Sequence, residues 1–536
     1  MADVILINGN VWTGVRGVAR AQALAITGER ISAIGTNDAI RSFAGPQTNF
    51  IDAHGRLVIP GITDAHVHLI GGGLQLSRID LRNAKDRADF VRRIAERAKT
   101  MRPDEWMLGG RWTVESWTDP ASPTKAWVDP VTAEVLLFLT RMDGHQALAN
   151  SAALKLAGID AKGPPDPQGG IIERNPQTGE PTGILKDDAM NLVSARIPQP
   201  SADERTAALR AAMDHLHRLG VTGVHDMSEL DDLPVYARGR ADGTLRLRIH
   251  SFLQVPDWSK HDDTSAKYPR DDPWWRVAGF KGYMDGSLGS RTAFMREPYT
   301  DAMPGTKYPR GLLVDQADPF EDFQQQIIRA DAAGWQLAVH AIGDEANHLL
   351  LNAYAAAARA NGPRHRRPRV EHAQHLLPED LGRFGRLGVI ASMQPLHKAD
   401  DGRYAEKALG PQRCRTSYAF RALLDAGATL AFGSDWPVVS ANPFEGIEAA
   451  VTGRTLDGRD FVPAQNITVE EALAAYTIGA AYASARDREC GTLEAGKLAD
   501  VVILSQDVFA VPPESISETR ADVTIVGGRL VWSGSE

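Results

Sequence analysis

Short apolar runs alternate with amphipathic stretches through the middle of this chain, and the alternation repeats eight times. The runs are GITDAHVHL (61–69), GVTGVHDM (220–227), RLRIHSFL (246–253), AGFKGYMDG (278–286), WQLAVHAIG (335–343), PRVEHAQ (368–374), GVIASMQP (388–395) and ATLAFGSDWP (428–437). Each has the length of a strand. Helical sequence such as ADERTAALRAAMDHLHRLG and FEDFQQQIIRADAAG separates most of them. Parallel strands require long crossovers, and helices supply them. Eight such units predict an α/β fold closed as a (β/α)8 TIM barrel over residues 61–487, with an open doubly wound sheet as the alternative.

The two ends of the chain follow a different pattern. DVILING, QALAITGERISAIG and TNFIDAHGRLVIPG near the start are short strand-like segments punctuated by turn residues, and so are GTLEAGKLADVVILS and ADVTIVGGRLVWSG near the end. Neither end carries enough strands to bury a face. Residues 1–60 and 488–536 are therefore expected to build one composite β domain, a small sandwich. The stretch from about 80 to 200 is too long for a βα connection and reads as an inserted subdomain over the barrel mouth. It is rich in tryptophan, and Trp112 and Trp117 are candidates for an apolar wall beside a substrate.

Charge and composition narrow the function classes. The formal net charge of −9 argues against nucleic acid or an anionic membrane surface as the main partner. No apolar run has the length of a membrane span, and MADVILINGN lacks the basic and apolar regions of a secretory signal. Two cysteines, Cys414 and Cys490, exclude a disulfide framework and a thiolate metal cluster. A cytoplasmic protein acting on a small molecule is expected, with a homo-oligomer (a dimer) as the candidate assembly.

Polar residues gather where the apolar runs end. His66 and His68 lie two apart in AHVHL, so they share one side of a strand. His340 closes LAVHAIGD, His372 closes VEHAQ, and Asp435 closes FGSDWP. Barrel enzymes place their reactive groups at these strand ends. Neutral imidazole is the commonest metal ligand, so the set reads as a divalent metal site, with zinc the first expectation and manganese, iron or cobalt as alternatives. Lys281 belongs to the same ring, and its ammonium would repel a cation. Reaction with CO₂ turns it into an anionic carbamate whose two oxygens can bridge metals; the alternative is a buried ion pair with Asp285 or Asp435. His145 in DGHQALANSAAL is a candidate for contact with a substrate oxygen, and Tyr283 for donation to an oxyanion. Arg291 and His397 are candidates to line the mouth, and Asp226 to orient a ligand histidine.

The motifs PGITDAHVHL, DGHQALANSAAL, GVTGVHDM, KGYMDGSLGSRTA, HAIGD, VEHAQ, GSDWPV and GTLEAGKLADVVIL together resemble the metal-dependent amidohydrolase superfamily. The match covers nearly the whole chain. Within the superfamily the wording is similar to the amidohydrolase-3 or YtcJ-like branch, which includes N-substituted formamide deformylase-like proteins. The resemblance implies one or two divalent metals held by His66, His68, His340, His372 and Asp435, with carboxylated Lys281 bridging. It further implies a metal-activated hydroxide attacking a C–N bond, with Asp435 carrying the proton to the leaving nitrogen. The substrate expected is an N-substituted amide or formamide. Rival readings keep the metal site but act on an ester, carbamate, cyclic amide, imide or C–C bond, or make the chain a non-catalytic binding protein.

Overall fold

Eight parallel strands form one sheet in sequence order: β1 (Ile62–Val67), β2 (Val221–Ser228), β3 (Arg248–Gln254), β4 (Trp275–Tyr283), β5 (Gln336–Ala341), β6 (Arg369–His372), β7 (Ile390–Met393) and β8 (Thr429–Phe432). A parallel bridge between Val67 and Trp436 joins the last strand's outgoing segment to β1, so the sheet is a nearly closed TIM barrel. This computed structural model describes residues 1–534 except 115–116, 120, 133, 143, 145, 168–169, 256–257 and 259–266.

The strands are short and buried along nearly their whole length, and in β2 all eight residues are buried. Both faces of a parallel sheet are covered, one by the interior side chains and the other by crossover helices. Helices Ala202–Arg218, Phe320–Ala332 and Asp344–Asn361 are three of these. β4 begins three residues before the apolar run read from the sequence, because Trp275 and Val277 are themselves core residues. Its spacing from β5 requires Gly279. A Cβ there would fall 1.7 Å from the Gln336 carbonyl oxygen, so any side chain would push the strands apart.

Strands from the two ends of the chain meet in one five-stranded sheet. Leu57–Pro60 pairs with Val501–Leu504, which pairs in turn with Ala521–Val526. A four-stranded sheet contains Val4–Ile7, Ala23–Thr27, Arg30–Gly35 and Asn49–Asp52. Leu6, Leu24 and Val58 from the start of the chain share one core with Val501, Ile503 and Ile525 from its end.

Gly71–Leu209 form a second compact unit, starting earlier than the insertion boundary expected near residue 80. It has its own six-stranded sheet, and Phe90, Ile94, Leu137 and Leu139 are central to its core. Among the described residues, no helix is long and apolar enough to cross a membrane.

Candidate functional site

His66 stands near the end of β1, fully buried. Its Nδ1–H donates to Glu371 Oε2 at 2.6 Å. That bond fixes the tautomer and leaves the Nε2 lone pair free, 3.4 Å from Lys281 Nζ and 3.6 Å from Asp435 Oδ1. His372 at the end of β6 repeats the arrangement. Its Nδ1–H donates to Gln394 Oε1 at 2.8 Å, which frees its own Nε2.

Asp435 follows β8, and its amide donates to the His66 carbonyl at 2.7 Å. Gly433 makes that approach possible, since a Cβ there would sit 2.5 Å from the His66 nitrogen. Asp435 and His372 both have left-handed backbones, with φ of 61° and 76°. Such conformations in non-glycine residues persist where the surroundings enforce them, and they cluster at functional sites. Ligand atoms of His66, His372 and Asp435 lie within 4.8 Å of one another. His68 Nε2 comes within 3.3 Å of Asp435 Oδ1. That oxygen is buried, yet it accepts no hydrogen bond among the described residues.

Burial sets the charge states. It lowers His66 to a pKa of about 4, helped by the charge of Lys281. Burial, with His340 and His66 close by, holds His372 well below the ordinary imidazole range. Both are neutral at pH 7, the state in which imidazole binds metal. Burial opposes the charge on Asp435, but His66, His68 and His372 outweigh it and keep the carboxyl well below its usual range. Neutral imidazoles around a carboxylate with an unused acceptor suit a divalent transition metal, so these residues fit one.

Lys281 is 2% exposed and makes no ion pair among the described residues. The expected alternative, a pair with Asp285, does not form, because Asp285 accepts the amides of Phe294, Ile342 and Gly343 at 2.8, 3.0 and 2.8 Å. Burial pushes the lysine down to about 8, although Glu371 and Asp435 pull the other way.

The remaining candidates divide. The ring of His340 is 4.5 Å from that of His372, but its Nε2 lies 3.1 Å from the Gly286 carbonyl oxygen and 3.4 Å from Asp285. It adjoins the His66–His372–Asp435 group without completing it. Tyr283 donates its hydroxyl hydrogen to Gln254, so the proton expected to meet an oxyanion is already engaged. His145 lies outside the described residues. Arg291 is held by Asp301 at 2.7 and 3.0 Å. His397 stacks on His372 with centroids 6.2 Å apart. Among the described residues Asp226 makes no hydrogen bond to a histidine; it accepts the Leu69 amide at 2.7 Å and the Tyr236 hydroxyl at 2.8 Å. Trp112 and Trp117 are core residues of the second unit rather than a pocket wall. Their indole N–H groups donate to the carbonyls of Leu139 and Ala84.

Glu371 and its partner Arg369 escaped the sequence reading. Arg369 is fully buried and donates to Glu371 Oε1 at 2.7 Å, to the Ala65 carbonyl at 2.6 Å and to His225 Nδ1 at 2.6 Å. The signal was present in RVEH, where two charged residues alternate along a strand that must be buried.

The sequence pattern of the amidohydrolase family matches residues 49–532. The protein LONG AFTER FAR-RED 3 of Arabidopsis thaliana is 38% identical over 99% of this chain and 92% of its own. The N-substituted formamide deformylase of Arthrobacter pascens is 29% identical over 99% of this chain and 98% of its own. The crystal structure of an uncharacterized metal-dependent hydrolase from Pyrococcus furiosus superposes with a TM-score of 0.75 at 28% identity, covering 94% of this chain and 99% of that one.

Proposed function

The chain belongs to the amidohydrolase family and is a metal-dependent hydrolase acting on carbon–nitrogen bonds; we propose that the bond is not a peptide bond and that the substrate is a small N-substituted amide or formamide. The observation that carries this reading is the convergence of two neutral imidazoles and an Asp435 oxygen that accepts no hydrogen bond among the described residues, beside a buried lysine that forms no ion pair among them. The similarity to N-substituted formamide deformylase supports the substrate class.

His66, His68, His340, His372 and Asp435 would hold one or two divalent metals, zinc first among them. When bound, such a metal supplies Lewis acidity toward a carbonyl oxygen and lowers the pKa of water toward 7. Lys281 contributes as a carbamate: its neutral amine adds to the carbon of CO₂ and releases a proton, which leaves an anion in place of the ammonium. A pKa near 8 keeps a usable fraction of that amine neutral at pH 7. Asp435, a carboxylate at neutral pH, accepts the proton of the attacking water and returns it to the departing nitrogen. Glu371 holds His66 in the tautomer that presents Nε2.

The test is a panel of N-substituted formamides, acetamides, esters and cyclic imides, assayed before chelation, after it, and after zinc is restored. Formamide or amide turnover that chelation abolishes and zinc returns is the expected result. Turnover confined to esters, or amide turnover indifferent to chelation, would overturn the reading.

A further inference from the structure

The N-terminal end of the barrel, opposite the metal ligands, carries a second polar site. A cavity of about 40 Å³ lies among the first residues of β1 to β4 and the segment after residue 484. That volume exceeds the minimum of roughly 10–15 Å³ that one water needs, which leaves room for a small ion. Among the described residues, two groups on its wall are donors with nothing to donate to, and a third is a cation with no ion pair.

His225 is 1% exposed. Its Nδ1 accepts from the Arg369 guanidinium at 2.6 Å, and a guanidinium cannot accept, so the ring hydrogen must be on Nε2. That buried Nε2–H has no acceptor among the described residues. Arg486 is 8% exposed. Its Nη1 donates to the Asp272 carbonyl at 3.0 Å and its Nη2 meets Glu489 at 2.5 Å, but its buried Nε–H has no acceptor among the described residues. Arg276 donates from Nε to His250 Nδ1 at 2.9 Å and from Nη2 to the Ser484 carbonyl, and it forms no ion pair among the described residues. Asp271 and Glu489 act on it only at longer range.

The two carboxylates on the wall are already occupied. Asp500 takes both arms of Arg248, at 2.6 and 2.8 Å, together with the Gly527 amide. Asp272 accepts the amides of Trp274 and Trp275 and the side chain of Arg240. A buried donor without an acceptor is destabilising. Water could satisfy the N–H groups; Arg276, partly exposed, is the guanidinium on this wall whose charge no ion pair balances among the described residues, and an anion would supply that balance.

We propose that this cavity binds a small monovalent anion of halide size, held by Arg276, Arg486 Nε–H and His225 Nε2–H. Its influence would extend upward through the barrel. An anion on Nε2–H keeps the His225 Nδ1 lone pair turned to Arg369, and Arg369 in turn holds Glu371 against His66. The inference stands apart from the proposed reaction, so either can fail without the other.

Bromide replaces chloride and is visible by anomalous diffraction. Crystals of the full chain grown with bromide should show an anomalous peak in the cavity. In solution, chloride should raise Tm relative to gluconate at equal ionic strength, by about 1–2 °C per tenfold increase above its dissociation constant. Arg276→Gln keeps a hydrogen-bonding side chain and removes the charge; it should lose both the peak and the chloride response. Arg486→Gln serves the same purpose if the first variant does not fold. Water-like density with no anomalous signal, equal Tm in the two salts, or an undiminished response in a folded variant would overturn the proposal.

Discussion

At the scale of single residues, the candidate site is governed by which imidazole nitrogen is left bare. Glu371 makes that choice for His66, and Gln394 makes it for His372. Replacing Glu371 by Gln keeps the shape but removes the charge that fixes the ring and balances Arg369. We expect zinc affinity to fall about 10–100-fold, as for other groups that orient a ligand histidine, measured by competition with a chromogenic chelator. Unchanged affinity would show that His66 is held without Glu371. Lys281→Ala should abolish the carbamate resonance obtained from ¹³C-bicarbonate along with turnover, and short carboxylic acids should restore part of the turnover. A wild-type protein with no such resonance would leave the lysine as an amine. His217 offers a residue-scale test away from the site. Burial, and the nearby charge of Arg246, lower its pKa from 6.5 to about 4. The folded state resists a proton that the unfolded state accepts, so stability is full above pH 6.5 and falls as pH drops toward 4, by about 1.4 kcal/mol per unit. Urea midpoints measured across that range should flatten by one proton in His217→Gln. Polar residues closing apolar runs were readable because a barrel interior ends abruptly in a loop. Arg369 and Glu371 were not, because paired charges inside a strand look like a solvated face until the strand is known to be covered on both sides.

At the scale of elements, the eight strands were legible because each apolar run is bounded by glycine, proline or a polar end, and their order follows the chain. What they could not disclose is how closely neighbours pack. The seam beyond β8 shows this. The bare backbone at Gly433 lets Asp435 reach the carbonyl of His66, and that approach brings the carboxylate to the imidazoles. Gly433→Ala should open the seam, with a loss of stability of about 2 kcal/mol or more in urea unfolding and a larger proportional loss of activity. A variant with normal activity would mean that the loop shifts without moving Asp435. Trp112 and Trp117 mark the opposite limit. Their abundance was visible, but whether a tryptophan faces a substrate or a core depends on contacts between distant segments. Here those contacts are with Phe90, Trp127 and backbone carbonyls.

At the scale of the whole molecule, strands from the two ends share a sheet and a core. Removing residues from 488 onward would leave Leu57–Pro60 without the partner Val501–Leu504 and expose the apolar side chains packed on it. An unpaired apolar edge pairs with other chains, so this truncation should aggregate, as light scattering would show. A monomeric, active truncation would mean that the N-terminal strands are self-sufficient. The same pairing has a meaning for synthesis. The strand at 57–60 leaves the ribosome about 440 residues before the strand that covers it. At roughly 5–20 residues per second, it waits on the order of 20–90 seconds with its ladder half made. Throughout that interval the nascent chain carries an open β edge at residues 57–60. The molecule therefore depends on whatever shields that edge in the cell until the last strands arrive.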